Sequence, residues 1–173
     1  PYLAGAAAAS GKSAEGPCSF WTLTPDGKLQ KYAAREHRFE PSSEGWSVVA
    51  RPWDSLYVLP LGSGRTVVAA LTQDRRELHG WLIEGSALTA LKPFKLRGEL
   101  GGVLQLRLEA GASLFASRDG AASGLSFRPD PEKLTWTVTR EQLELPSETG
   151  TLCFGDFNGD GREDALRWNA RGR

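Results

Sequence analysis

From position 19 onward, apolar and polar residues alternate with a period of two. Ser19-Phe20-Trp21-Thr22-Leu23-Thr24 and Lys28-Leu29-Gln30-Lys31-Tyr32 flank Pro25-Asp26-Gly27, the pattern of a β-hairpin around a turn. The same alternation returns at residues 55–59, 66–72, 78–83, 103–108, 113–116, 125–128, 134–139 and 151–154. Val103-Leu104-Gln105-Leu106-Arg107-Leu108 and Leu134-Thr135-Trp136-Thr137-Val138-Thr139 are the cleanest, with one apolar and one polar face, as in an antiparallel strand solvated on one side. No strong amphipathic helix competes. Twenty Gly and ten Pro supply turns. The pattern predicts an all-β protein built as a sandwich, a barrel or a run of propeller blades.

Composition narrows the functions open to such a fold. The 173 residues are 40% hydrophobic and include six Trp, enough apolar surface for a sizeable core. Lys plus Arg number 21 and Asp plus Glu 21, with the signs interspersed. Nucleic-acid binding needs clustered Lys and Arg against phosphates, so that class is excluded. The most apolar run, Val67-Val68-Ala69-Ala70-Leu71, has strand length, far short of the roughly 18 apolar residues that signal a spanning helix.

The N-terminal stretch, residues 1–16, reads as a flexible linker ahead of a single all-β domain over residues 17–173. Ala6-Ala7-Ala8-Ala9-Ser10-Gly11-Lys12-Ser13 fits a loosened phosphate-loop pattern. That chemistry needs a buried strand before the loop and a helix after it. Only Pro1-Tyr2-Leu3-Ala4-Gly5 precede the run, and Gly16-Pro17 interrupt any helix at once, so nucleotide binding is not expected. The chain has no Met and starts at Pro1, a beginning that suggests processing and a periplasmic or secreted setting, free or tethered at the membrane. In that setting Cys18 and Cys153 form a disulfide or remain two buried thiols, since no zinc spacing includes them. A bridge would close a loop long enough to be worth about 4–5 kcal/mol in the chain-entropy model.

One segment carries chemistry. Residues 156–164 read Asp156-Phe157-Asn158-Gly159-Asp160-Gly161-Arg162-Glu163-Asp164, with oxygen side chains at positions one, three, five and nine. Calcium takes six to eight oxygen ligands, and alternate residues of a curled loop aim them at one centre. Arg162 would contribute its carbonyl, and Gly161 permits the sharp turn. An EF-hand would need flanking helices and an acid at position twelve, where Arg167 stands. Strand patterns lead in and out instead. The stretch from Phe154-Gly155 through Ala165-Leu166 resembles the FG-GAP or VCBS-type repeat of integrin-like β-propellers. That resemblance covers one copy at residues 154–166. It implies calcium bound by Asp156, Asn158, Asp160, Arg162 and Asp164, in a small or partial β-propeller-like arrangement of antiparallel sheets. A sandwich or barrel carrying one calcium loop is the alternative. The ion would neutralise three clustered carboxylates whose repulsion otherwise opposes the turn.

Catalytic patterns are absent from the sequence. Neither His37, in Arg35-Glu36-His37-Arg38, nor His79, in Leu78-His79-Gly80-Trp81, sits in a nucleophile motif, and Gly62-Ser63-Gly64 reads as a tight turn rather than a nucleophile elbow. Trp21, Trp81 and Trp136 alternate with polar residues as core-facing side chains do. Recognition is expected on the longest polar connections, 36–45 and 116–124, the second carrying Ser117, Arg118 and Asp119. These features together suggest a non-enzymatic binding module that engages a protein partner through loops, in the style of an inhibitor or immunity protein against a secreted toxin or cell-wall hydrolase. The alternative is a piece of a larger adhesin or glycan-binding propeller whose gene continues past Arg173.

Overall fold

Backbone pairing in the computed structural model is antiparallel throughout, and every regular element among the described residues is a strand. The structure describes residues 4–8, 19–35, 38–96, 102–108, 111–117, 123–142, 151–155 and 164–168. A first sheet runs in the order β1 (Ala4–Ala8), β2 (Ser19–Leu23), β3 (Lys28–Arg35), β4 (Arg38–Ser47). A second contains β5 (Trp53–Gly62), β6 (Arg65–Thr72), β7 (Glu77–Glu84) and β8 (Ala87–Ala90), with β9 (Phe94–Lys95) also paired to β7. A third holds β10 (Gly102–Leu108), β11 (Gly111–Ser117), β12 (Ser123–Asp130) and β13 (Thr135–Gln142), and β14 (Thr151–Gly155) pairs β15 (Asp164–Trp168). None of these sheets closes into a barrel among the described residues. Four consecutive strands in up-and-down order, repeated three times, is the strand order of propeller blades.

The chain divides into two compact units, residues 1–99 with 129–136, and residues 100–128 with 137–173. In unit 1 the first strand of one sheet, β1, lies beside the first strand of the next, β5. In unit 2 β10 lies beside β14 in the same relationship. Residues 4–8 belong to the stretch read as linker, yet they form β1, with Ala4 opposite Leu23 and Ala8 opposite Ser19. The physical reason is that β2 would otherwise present an open edge, and a run of small residues can satisfy its backbone groups without any side-chain pattern.

Unit 1 has its core on both faces of the second sheet. In β6, Val67, Val68, Ala69, Ala70 and Leu71 are all buried, which explains the continuous apolar run. A strand covered on both sides has no solvated face to mark with polar residues. On one face Trp53, Leu56, Val58, Val68, Ala70, Trp81 and Ile83 pack with Trp21, Leu23 and Leu29 of the first sheet. Gly80 opens the other face: Trp136 lies so close that a Cβ there would stand 2.5 Å from its Cζ2. Trp21, Trp81 and Trp136 are buried, as the alternation predicts. Gly62, Ser63 and Gly64 form the β5–β6 turn with φ of 79°, 53° and 73°. Positive φ at consecutive residues matches the right-handed twist of the flanking strands, and glycine adopts it without a steric penalty.

The connection expected over 36–45 is largely strand. Residues 38–47 form β4, with a register shift against β3 between Gln30 and Tyr32. The Gln30 carboxamide donates to the carbonyls of Ser42 (3.1 Å) and Glu44 (2.8 Å), satisfying groups that the irregular ladder leaves open. Trp46 then stacks on Trp21 at 5.7 Å and donates its Nε1 hydrogen to the Ser86 carbonyl. In unit 2, Leu114 stands opposite Phe127 and Phe115 opposite Ser126, and all four are buried.

Candidate functional site

The segment with calcium-loop spacing joins β14 to β15. Their register pairs Thr151 with Trp168, Cys153 with Leu166, and Gly155 with Asp164. The connection 156–163 therefore leaves and re-enters the chain across one antiparallel pair. Gly155, the residue before Asp156 in the sequence, is the pairing partner of Asp164. Asp156, Asn158, Asp160 and Arg162 lie outside the described residues, and Asp164 is described in its backbone alone. The donor set fits calcium by its chemistry, because carboxylate, carboxamide and carbonyl oxygens are the hard ligands that ion selects. Among the described residues no three His, Cys, Asp or Glu side chains gather at one point.

The remaining sequence-predicted positions distribute over both units. Cys18 lies outside the described residues, immediately before β2 in unit 1, whereas Cys153 stands in β14 of unit 2. Ser117 ends β11 opposite Gly124 of β12, so residues 118–122 connect two paired strands. Arg118 and Asp119 fall within that connection, outside the described residues. His37 also lies outside them.

Unit 1 contains a polar group that sequence reading does not single out. Glu77, at the start of β7, accepts from Arg51 Nη1 at 2.8 Å and faces His79 Nε2 at 3.1 Å through the same oxygen, Oε2. Alternation along β7 places Glu77 and His79 on one face, and Arg51 arrives from the segment before β5. His79 is buried, with the Trp53 ring edge-on at 5.2 Å and the Trp81 ring at 6.3 Å. Burial holds its imidazole below the ordinary value, outweighing the neighbouring carboxylate that pulls the other way. The neutral ring then donates from Nε2 to Glu77.

Around the β6–β7 turn, Thr72 Oγ1 donates to Asp74 Oδ1 at 2.6 Å and accepts from the Glu77 amide at 3.0 Å. The hydroxyl holds the Asp74 carboxyl below the usual carboxylate range, and the Arg76 amide adds to the effect. Arg75, at φ 54°, pairs with Asp54 at 3.2 Å. The Gln73 amide donates to the Pro52 carbonyl, fastening the entry of β5 to this turn. Arg51 and Glu77 are 26 positions apart, and only the β5–β6–β7 pairing brings them together. The one sequence signal was the polar pair Glu77 and His79 at spacing two in an otherwise apolar strand.

No helix among the described residues is long and apolar enough to cross a membrane. No protein-family model matches the chain, and comparison with curated proteins finds no relative.

Proposed function

We propose that this chain is a non-enzymatic, calcium-stabilised binding module of an extracytoplasmic protein, and that its loops engage a protein partner. The observation that carries the reading is the Gly155–Asp164 pair, which closes an Asp-x-Asn-x-Asp-Gly-x-x-Asp segment between antiparallel strands. Asp156, Asn158, Asp160, Asp164 and the Arg162 carbonyl would hold the ion. Bound there, calcium supplies charge neutralisation, offsetting the repulsion of three carboxylates. Two strands alone are marginal in water, so an ion at their connecting loop would stabilise the β14–β15 pair, which has two strands among the described residues.

The β11–β12 connection carries Arg118 and Asp119 between paired strands, a loop on a rigid support of the kind that recognition uses. Such a module suits an inhibitor or immunity protein that blocks a secreted toxin or cell-wall hydrolase. Thermal unfolding with calcium and with chelator tests the metal: the melting temperature should rise and saturate at one ion per chain, and Asp160→Ala should abolish the rise. Affinity capture with the immobilised chain tests the partner. Recovery of a toxin or hydrolase, weakened by Arg118→Ala, supports the reading, and recovery of neither class overturns it.

Three successive up-and-down meanders of four consecutive strands, the second extended by β9, favour a second reading, a segment of a larger propeller-type adhesin.

A further inference from the structure

Beside the β6–β7 turn, unit 1 carries an open cleft of about 410 Å³ lined by Arg51, Pro52, Thr72, Gln73, Asp74 and Glu77. Its two carboxylates are held by bonds that each leave one oxygen unused. Glu77 Oε2 takes both Arg51 and His79, which leaves Oε1 without a partner among the described residues. Asp74 Oδ1 takes Thr72 Oγ1 and the Arg76 amide, which leaves Oδ2. The Gln73 carboxamide has no partner among the described residues, and Arg51 uses one of its five N–H groups on Glu77. Glu77 and Asp74, held this way, lose little freedom when a ligand arrives, whereas the exposed Gln73 side chain is ordered only on binding.

The mixture of groups decides the ligand class. An anion entering the cleft meets two carboxylates. A cation meets the Arg51 guanidinium, and one of the two carboxylates is already neutralised by it at 2.8 Å. A neutral polyol meets neither conflict, because each hydroxyl both donates and accepts. Adjacent hydroxyls of a sugar ring can bridge the two polar atoms of the Gln73 carboxamide, while Glu77 Oε1, Asp74 Oδ2 and the remaining Arg51 N–H groups each offer single contacts. Pro52 supplies a nonpolar wall suited to the C–H face of such a ring. The volume lies within the range of small-molecule sites, and the lining is mostly polar, which suits a ligand rich in hydroxyls. We propose that this cleft binds a single neutral saccharide residue. The site goes beyond the binding-module reading, since it involves neither the calcium loop nor the β11–β12 connection.

The test is amide-resolved NMR titration of the full chain, with chelator present, using glucose, galactose, mannose and N-acetylglucosamine in turn, and glycerol and glycine as comparison solutes. At least one sugar should give saturable shifts centred on Gln73, Asp74 and Glu77, with a dissociation constant of about 1 mM. Gln73→Ala removes a side chain with no internal bond, so it should keep the melting temperature and weaken the sugar at least about tenfold. Asp74→Asn should weaken it as well. The proposal is overturned if no sugar saturates, if glycerol or glycine produces the same shifts, or if Gln73→Ala binds unchanged.

Discussion

His79 and Glu77 share one face of β7, with Nε2 and Oε2 3.1 Å apart, and that same oxygen holds Arg51 at 2.8 Å. A single carboxylate thus ties the segment before β5 to a buried imidazole two residues along its own strand. Half-exposed ion pairs contribute little by themselves, about 0–1 kcal/mol. The weight of this arrangement lies in the imidazole, which is 6% exposed and packs in one cluster with the Trp53 and Trp81 indoles.

Stability should therefore fall in mildly acidic solution. The His79 pKa in the folded chain lies below the ordinary 6.5, so the unfolded chain takes up the proton more readily. Its contribution is complete above about 6.5 and declines as pH drops from there toward the folded value. Asp26, Asp74 and Asp130 are also lowered, from 3.8, and act in a separate window below that value. Melting temperatures measured from about pH 8 to about pH 5 should hold level and then drop, and His79→Gln should flatten the drop. An unchanged slope in that variant would assign the effect elsewhere.

Gly80→Ala should destabilise by about 1–3 kcal/mol, because the new methyl meets Trp136 Cζ2 at 2.5 Å and Leu91 Cδ2 at 3.3 Å. Trp136 is buried, with 6% of its surface exposed. Urea unfolding followed by Trp fluorescence reads the loss. At Gly64, where a Cβ meets nothing within 4 Å, Ala is opposed only by the positive φ of 73°, at about 1 kcal/mol.

In unit 2, Phe115→Ala should cost about 3–5 kcal/mol, since Phe115 is 0% exposed and its removal leaves a cavity on the central strand β11, opposite Ser126 in the ladder. Phe127→Ala, across the same strand pair, should cost a similar amount. A loss of less than about 1 kcal/mol, taken as the shift in denaturant midpoint times the m-value, would show that unit 2 has little packed core of its own.

Cys18 and Cys153 should resist alkylation until a reductant is added, each chain then gaining two labels by intact mass. Reduction should lower stability by about 4–5 kcal/mol in the chain-entropy model. Immediate labelling of both thiols would remove the bridge.

Much of the fold is legible in the chain because its strands alternate. Residues 28–32, 55–59, 66–72, 78–83, 103–108, 113–116, 125–128 and 151–154 read as strands, and each lies within a strand, while 19–24 overruns β2 by Thr24 and 134–139 begins one residue before β13. Pro25-Asp26-Gly27 and Gly62-Ser63-Gly64 read as turns for a local reason, the demand for positive φ, which is met at Gly27, Ser63 and Gly64. The same local grammar marks the 156–164 segment, whose spacing is intelligible without neighbours. Residues 4–8 and 38–47 are illegible, since Ala-Gly-Ala-Ala-Ala and Pro41-Ser42-Ser43-Glu44-Gly45 carry no strand pattern and become strands only against β2 and β3.

The chain by itself determined class, turns and a hard-oxygen segment, because backbone sterics, side-chain period and ligand chemistry act over a few neighbouring residues. Tertiary structure decided which strand edges pair, that Gly155 faces Asp164, that β6 is covered on both faces, and that Arg51, Glu77 and His79 meet. Those outcomes depend on contacts between distant segments, where the energy comes from burying area and satisfying backbone groups that no local pattern names.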